Sequence, residues 1–205
     1  MKAILVYGDS NTWGQTKWPF LGEPRLAYED RWTSKVQQRF AANAQLIVEG
    51  LPGRTAGDVQ VGNNQYRNGK IHFKSIFKSH EPIDFVIIAL GTNDIQIGYR
   101  RTASDITTDI LWYEKSIQQW HLGDYPTPHV LYIIPPALKV SAEDSYFGGR
   151  DIVREQLASS LKSQPGLKTI LPGSIDLSED GVHFSPKGHS QMARAVSKKL
   201  EEIGL

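Results

Sequence analysis

The sequence predicts an α/β protein, a three-layer α/β/α sandwich on a five-stranded parallel sheet with the flavodoxin-like strand order 2-1-3-4-5. Three observations support this. Short apolar runs alternate with longer amphipathic segments along the whole chain, as in successive βαβ units. The run at 83–90 is apolar on both faces, as expected of a central strand covered by helices on both sides. Several runs end in glycine-bearing loops, and right-handed crossovers leave few ways to connect such strands.

The individual elements follow from the spacing of apolar residues. Short apolar runs predict strands at residues 2–7, 45–49, 83–90, 130–134 and 168–171. Apolar residues that recur every three or four positions predict helices at residues 32–42, 71–79, 104–120, 151–161 and 186–202. We expect Ser104 to be the N-cap of the third helix and Ser185-Pro186 to open the last one. Residues 15–31 and 57–70 are predicted to be loops.

Length and composition restrict the class of protein. The chain has 205 residues, 40% of them apolar, which is the size of one α/β domain, so we expect a single domain over 1–205. Lys and Arg number 23 and Asp and Glu 22, so no broad field would attract nucleic acid or an anionic membrane. With no cysteine, disulfides, thiolate nucleophiles and Cys-ligated zinc are excluded.

The apolar content also bears on location. No stretch approaches the ~20 consecutive apolar residues that a membrane span requires. The first strand begins at residue 2, without the basic and apolar regions of a signal peptide. We therefore expect a soluble cytoplasmic protein without a membrane span.

Four polar stretches are predicted to meet at one edge of the sheet: the turn at Ser10, the loops at Gly53 and Asn93, and the loop at 180–183. In open α/β sheets the carboxyl edge is where ligands bind. Serine-dependent acyl transfer needs a hydroxyl, a base, a carboxylate that orients the base, and donors for the oxyanion. All of these groups are present, although Ser, Asn and Asp after a strand are also ordinary helix N-caps.

These stretches resemble the four sequence blocks of the SGNH, or GDSL-type, esterase and lipase superfamily. The matching residues, in the order of that family, are Gly8-Asp9-Ser10-Asn11, Gly53, Gly91-Thr92-Asn93-Asp94 and Asp180-Gly181-Val182-His183. Residue 11 is a departure, because it is Asn where the eponymous motif has Leu. Asn11-Thr12 and the Gly-Leu-Pro-Gly-Arg-Thr run at 50–55 resemble the bacterial arylesterase and acyltransferase-like branch. The resemblance covers nearly the whole chain and implies the SGNH-hydrolase fold.

The resemblance implies a role for each matching residue. Ser10 would be the nucleophile, His183 the general base and then acid, and Asp180 the carboxylate that orients His183. The oxyanion hole would consist of the backbone N–H groups of Ser10 and Gly53 and the side-chain amide of Asn93. The implied activity is hydrolysis of carboxylic esters, with no metal and no cofactor. We expect small, short-acyl esters, because the sequence has no apolar insertion long enough to form a lid over a long acyl chain. Aryl acetates, acetylated sugars and other small esters all stay open as substrates.

Other polar residues near the predicted edge have structural interpretations. We expect Asp9 and Asp94 to accept loop N–H groups and Arg54 to brace the Gly53 loop. His189 is the main alternative base, but its place in the first turn of the last helix favours a packing role. The remaining histidines, which lie away from the strand ends and are expected at the surface, are His72, His80, His121 and His129.

Aromatic side chains are frequent in the predicted edge loops, namely Trp13, Trp18, Phe20, Tyr99, Tyr146 and Phe147. They would suit the wall of an apolar acyl or aryl pocket, or they would belong to the core, and the sequence leaves both open. Trp13, Tyr146 and Phe147 are our candidates for the substrate pocket. Aromatic side chains in exposed loops also allow a homo-oligomer.

Two other functions remain open on the sequence. Asp9, Asp94, Asp180 and His183 could together ligate a divalent ion in a metal-dependent phosphoesterase. The same fold could also serve as a non-catalytic domain that binds carbohydrate or another small ligand, because fold alone does not settle function. Sensitivity to chelators would favour the first alternative, and failure of a fluorophosphonate probe to label Ser10 would favour the second.

Overall fold

Five parallel strands form a single sheet in this protein. The structure is a computed structural model and describes residues 1–18, 24–59, 64–120 and 125–205. The strands in chain order are β1 Lys2–Gly8, β2 Ala44–Gly50, β3 Phe85–Ala89, β4 His129–Ile133 and β5 Lys168–Ile170. Their order across the sheet is β2-β1-β3-β4-β5, and every pairing is parallel. The predicted strand order is therefore confirmed, and β3 is the central strand as expected.

The five predicted helices are present, most of them with shifted ends, and a short helix that was not predicted precedes them. They are α1 Ser10–Trp13, α2 Trp32–Arg39, α3 Gly69–Ser79, α4 Ala103–Trp120, α5 Asp151–Ser163 and α6 Pro186–Glu202. Helix α2 ends three residues earlier than predicted. Helix α3 begins two residues earlier than predicted, because the Asn68 side chain caps it by accepting a hydrogen bond from Lys70 N at 3.0 Å.

Two hydrophobic clusters, one on each face of the sheet, account for the three layers. Alternate side chains of β1 point to opposite faces, so Leu5 and Tyr7 join one cluster while Ile4 and Val6 join the other. The first cluster is covered by α3, α4 and α5, and the second by α2 and α6. Both faces of the sheet are thus buried, which explains why its central strands are apolar throughout.

The N-caps of the two longest helices test the sequence reasoning directly. Ser185 caps α6 as predicted, and its hydroxyl accepts a hydrogen bond from Gly188 N at 3.1 Å. The prediction of Ser104 as the cap of α4 was wrong. Thr102 Oγ1 accepts from Asp105 N at 3.2 Å, and Asp105 Oδ2 accepts from Thr102 N at 2.9 Å. This reciprocal pair is a capping box, and it starts the helix one residue before Ser104.

The turn after β1 packs so closely on the ends of β1 and β2 that the last residue of each strand must be glycine. A Cβ on Gly8 would collide with the Thr12 side chain, and one on Gly50 would lie 2.5 Å from the backbone N of Trp13. The short helix α1 can therefore sit directly on the ends of β1 and β2. Within the described residues, no helix combines the length and apolar character needed to cross a bilayer.

Candidate active site

The carboxyl ends of β1, β2 and β3 and the loop before α6 bring the predicted site residues together. Ser10 is the first residue of α1, directly after β1, and it is 6% exposed. His183 lies in the loop before α6 and is 7% exposed. Its Nε2 atom is 3.1 Å from Ser10 Oγ, although 173 residues separate the two in sequence. A hydroxyl and an imidazole thus meet in a nearly closed site.

Asp180 lies on the other side of the imidazole ring. Its Oδ2 atom is 2.6 Å from His183 Nδ1 and also accepts a hydrogen bond from Trp18 N at 2.7 Å. Its Oδ1 atom accepts from Val182 N and His183 N, both at 2.9 Å. A carboxylate on Nδ1 keeps the proton there, so Nε2 faces Ser10 as a hydrogen-bond acceptor.

The protonation state of Asp180 follows from these contacts. Burial by itself would raise the pKa of its carboxyl, but the hydrogen bonds from the His183 side chain, His183 N and Val182 N outweigh it and lower the pKa below its usual range. Gly181, between the two residues, has φ +68°, and a Cβ there would collide with the backbone of Lys139. A glycine is therefore needed for the turn that places Asp180 under His183.

Asn11 ties α1 to the loop that carries His183. Its Oδ1 atom accepts from Phe184 N at 2.8 Å, and its Nδ2 atom donates to Val182 O at 3.3 Å. The two bonds bracket His183 on both sides in sequence, so they hold the imidazole loop against the helix of Ser10. The sequence marked residue 11 as a departure from the eponymous motif and as a point of resemblance to the arylesterase branch, with no role in the site. A polar residue next to the serine, where the motif has an apolar one, was the signal for this contact.

Three N–H groups were predicted as oxyanion donors, those of Ser10, Gly53 and Asn93. Ser10 N is at the first residue of a helix, where backbone N–H groups have no intrahelical partner. Gly53 has φ +76°, and a Cβ there would be 2.9 Å from the Arg67 side chain. The Asn93 amide has a defined orientation, because Nδ2 donates to Arg54 O at 3.1 Å and Oδ1 accepts from Gln96 Nε2 at 3.2 Å. One Nδ2 proton of Asn93 therefore remains for a ligand.

Arg54 braces the Gly53 loop, as expected. Its Nη1 atom donates to Gly8 O at 2.8 Å and to Glu49 O, and its Cζ atom is 4.0 Å from the centroid of the Tyr7 ring. The guanidinium is buried, and this burial lowers its pKa. These contacts join the ends of β1 and β2 beneath the site, so the side chain is occupied with the scaffold.

The two aspartates of the motif also bond to the scaffold. Asp9 is 3% exposed and accepts a hydrogen bond from Asn11 N at 2.9 Å, which caps α1. Burial raises its pKa to about 6, against smaller opposing effects of the Asn11 N–H and of the charge of His183. Asp94 is fully buried, accepts from Ala56 N at 2.9 Å and pairs with Arg101 Nη1 at 2.7 Å. Both residues thus have the structural role predicted for them.

The pairing of Asp94 extends into a larger charged network. Arg101 also pairs with Asp109, which in turn pairs with Lys70. The network therefore connects the loops of Gly53 and Asn93 to α3 and α4. The sequence offered no signal for it, because ion pairs between remote segments leave no local pattern.

The predicted pocket residues have different surroundings. Trp13 is partly buried, and the guanidinium of Arg25 lies 4.6 Å from its ring centroid. Tyr146 is 53% exposed, whereas Phe147 is buried in the cluster under α4 and α5. Of the other edge aromatics, Trp18 is 53% exposed, and Phe20 lies outside the described residues.

His189 does not reach Ser10. It is fully buried, and its Nδ1 atom accepts from Trp32 N at 3.2 Å. Burial is the main cause that lowers its pKa to about 3, so the ring is neutral. This agrees with the predicted packing role. His72 is exposed, and His80 is partly exposed. His129 is also exposed, as predicted for a surface residue, and His121 lies outside the described residues.

The chain matches a protein family in sequence and solved proteins in structure. The model of the GDSL-like lipase/acylhydrolase family matches residues 6–191. The aryl esterase of M. smegmatis is similar with 30% identity and a TM-score of 0.87, over 98% of this chain and 99% of that one. Est24, a carbohydrate acetylesterase from Sinorhizobium meliloti, has 28% identity and a TM-score of 0.85, over 99% and 100% of the two chains.

A putative arylesterase from Agrobacterium tumefaciens is similar to the same degree, with 28% identity, a TM-score of 0.84, and 99% and 100% of the two chains covered. A search of curated proteins finds no match. The family match spans most of the chain, and the similar structures cover nearly all of it. The chain therefore belongs to the GDSL-like lipase/acylhydrolase family, and it is a carboxylic ester hydrolase.

Proposed function

We propose that this chain hydrolyses short-acyl carboxylic esters through an acyl-enzyme on Ser10. The observation that carries the proposal is the hydrogen-bonded line from Asp180 through His183 to Ser10, with separations of 2.6 and 3.1 Å. Both distances are within the reach needed for proton transfer. The acyl group is proposed to be small because the similar structures include an aryl esterase and a carbohydrate acetylesterase.

The first half of the reaction forms the acyl-enzyme. His183 Nε2 takes the proton of Ser10 Oγ as this oxygen attacks the ester carbonyl carbon. The carbonyl oxygen becomes an oxyanion, which accepts hydrogen bonds from Ser10 N, Gly53 N and Asn93 Nδ2. Asp180 stabilises the imidazolium through Nδ1. The C–O bond to the alcohol then breaks, and His183 Nε2 gives its proton to the leaving oxygen.

The second half regenerates the serine. Water takes the place of the alcohol, His183 removes one of its protons, and the resulting hydroxide attacks the acyl carbon. The same three donors hold the second oxyanion. When the bond to Ser10 Oγ breaks, His183 returns the proton to this oxygen, and the carboxylic acid leaves.

Replacement of the serine tests this reaction. We expect Ser10→Ala to lower kcat on 4-nitrophenyl acetate by on the order of 10⁴ and to abolish labelling by a fluorophosphonate. Asn93→Ala should lower kcat by about 10²–10³ but keep Ser10 available for the probe. Near-full activity of Ser10→Ala would exclude this mechanism.

Two further measurements define the class of substrate and separate the metal-dependent alternative. A series of 4-nitrophenyl esters from acetate to decanoate should show kcat/KM that falls as the acyl chain lengthens. Dialysis against EDTA should leave the rate on 4-nitrophenyl acetate unchanged. A rate that disappears with the chelator and returns with a divalent ion would favour a metal-dependent phosphoesterase instead.

A further inference from the structure

The side chain of Arg67 lies against one of the proposed oxyanion donors. A Cβ built on Gly53 would be 2.9 Å from Arg67 Nε and 3.0 Å from Arg67 Cζ, so the guanidinium packs directly on that glycine. The backbone of Arg67 is anchored to the same loop, because Thr55 N donates to Arg67 O at 2.9 Å. The charged group is therefore held next to the position where the ester carbonyl would bind.

Among the residues that the structure describes, the Arg67 guanidinium has no anionic partner, and its buried Nε atom has no hydrogen-bond partner. Within the described residues, no carboxylate lies within 4.0 Å of the Arg67 guanidinium and no hydrogen bond uses its Nη atoms. Three other arginines have polar partners: the buried Arg54 donates to Gly8 O, and the half-buried Arg101 and Arg150 bond to Asp94 and to Ile95 O. Arg67 is thus distinguished from the arginines that serve the scaffold.

The surroundings of Arg67 favour recognition of an anion. Burial raises the pKa of Tyr99 above its usual value, although the nearby charge of Arg67 opposes this. The phenol therefore stays neutral and can donate a hydrogen bond beside the cation. Two carboxylates of the network behind the site are already paired, because Asp94 pairs with Arg101 and Asp109 pairs with Arg101 and Lys70. A partly buried cation without a counter-charge gains most from a ligand that brings one.

We propose that Arg67 forms a subsite for a carboxylate carried by the substrate, so that the preferred substrates are esters with an anionic group near the scissile bond. This inference rests on the proposed function, because it places the subsite next to the oxyanion donor Gly53. The planar guanidinium offers paired N–H donors, which match the two oxygens of a carboxylate. Arg67 is then a substrate-contacting residue that sets specificity and takes no part in proton transfer.

The test compares charged esters with neutral esters of similar size. One pair places the carboxylate on the acyl side, 4-nitrophenyl hydrogen glutarate against 4-nitrophenyl pentanoate. The other places it on the alcohol side, 4-acetoxybenzoate against its methyl ester. The enzymes are the wild type, Arg67→Gln, Arg67→Lys and the control Lys74→Gln, which removes one exposed positive charge from α3. Fluorophosphonate labelling of Ser10 reports in each variant whether the site is intact.

We expect Arg67→Gln to lower kcat/KM for the anionic member of at least one pair by about 10- to 100-fold and to change the neutral member by less than about threefold. Arg67→Lys keeps the positive charge but loses the paired N–H donors of the guanidinium, so its decrease in kcat/KM for the anionic ester should be intermediate. Lys74→Gln should leave the ratio of kcat/KM for the anionic ester to that for the neutral ester unchanged in both pairs. Added salt should lower the wild-type rate on the anionic ester more than on the neutral one.

Three outcomes would overturn the subsite. Unchanged ratios in both pairs would show that Arg67 does not contact the carboxylate. Equal losses on charged and neutral esters would mean that it acts on the oxyanion alone. Loss of fluorophosphonate labelling in both Arg67 variants would mean that the side chain only supports the loop. A wild type inactive on all four esters would instead remove the proposed function, and this subsite with it.

Discussion

At the scale of single residues, Asp9 shows how the burial of a carboxyl group next to Ser10 makes the stability of the fold depend on pH. The carboxyl is 3% exposed, and burial raises its pKa from 3.8 to about 6. Between these values the folded chain keeps a proton that the unfolded chain has released. Because the native state then binds more protons, the free energy of unfolding falls as the pH rises through this window.

Replacing Asp9 by Asn should remove this pH dependence. The amide oxygen can still accept from Asn11 N, so the cap of α1 is kept while the titrating group is lost. Between pH 4 and pH 6, we expect the free energy of unfolding of the wild type to fall by on the order of 2–3 kcal/mol relative to that of Asp9→Asn. Urea unfolding at several pH values measures it, with exposed Glu143→Gln as the control. A stability difference that does not change with pH would contradict the raised pKa.

Asn11 shows at the same scale what local sequence can and cannot indicate. Its place directly after the serine was visible in the motif, but its partners Val182 and Phe184 lie 171 and 173 residues away. Only the folded chain shows that this amide holds the His183 loop against α1. The difference between Asn and Leu here therefore concerns the support of the site.

At the scale of elements, the start of α4 distinguishes two candidate N-cap residues, Thr102 and Ser104. Thr102 and Asp105 form the capping box, while Ser104 lies one residue inside the helix. We expect Thr102→Ala to lower the free energy of unfolding by about 0.5–2 kcal/mol, because the N–H of Asp105 loses its acceptor. Ser104→Ala is the matched control and should be neutral or slightly stabilising, since Ala is the better helix former. Chemical denaturation of both variants decides between the caps, and a larger loss for Ser104→Ala would reverse the assignment.

At the scale of the whole molecule, the buried charges join parts of the chain that are distant in sequence. Arg101, with a side chain only 10% exposed, lies between the carboxylates of Asp94 and Asp109. Through Asp94 and Ala56 it links the loops after β2 and β3, which carry Gly53 and Asn93. The network therefore supports the fold and the proposed oxyanion donors together.

Arg101→Leu should destabilise the protein strongly, because it leaves Asp94 fully buried without its cation. We expect a loss of about 3–5 kcal/mol in the free energy of unfolding, and partial recovery in Arg101→Leu combined with Asp94→Asn. The matched control is Arg39→Leu, whose exposed pair with Glu201 should contribute less than about 1 kcal/mol. Urea unfolding measures all of them. An equally small effect of both single replacements would show that the network is not needed for stability.

The sequence by itself determined the strand order, the five helices from α2 to α6 and the identity of the polar groups at the sheet edge. These depend on local periodicity, on turns and on short motifs, which are written in neighbouring residues. The tertiary structure decided the distances within the site, the N-cap of α4, the support from Asn11 and the network around Arg101. It also placed Arg67 beside Gly53 with no counter-charge in the part of the chain that the structure describes. These features depend on contacts between residues far apart in the chain and on burial, which exist only after the sheet has brought the loops together.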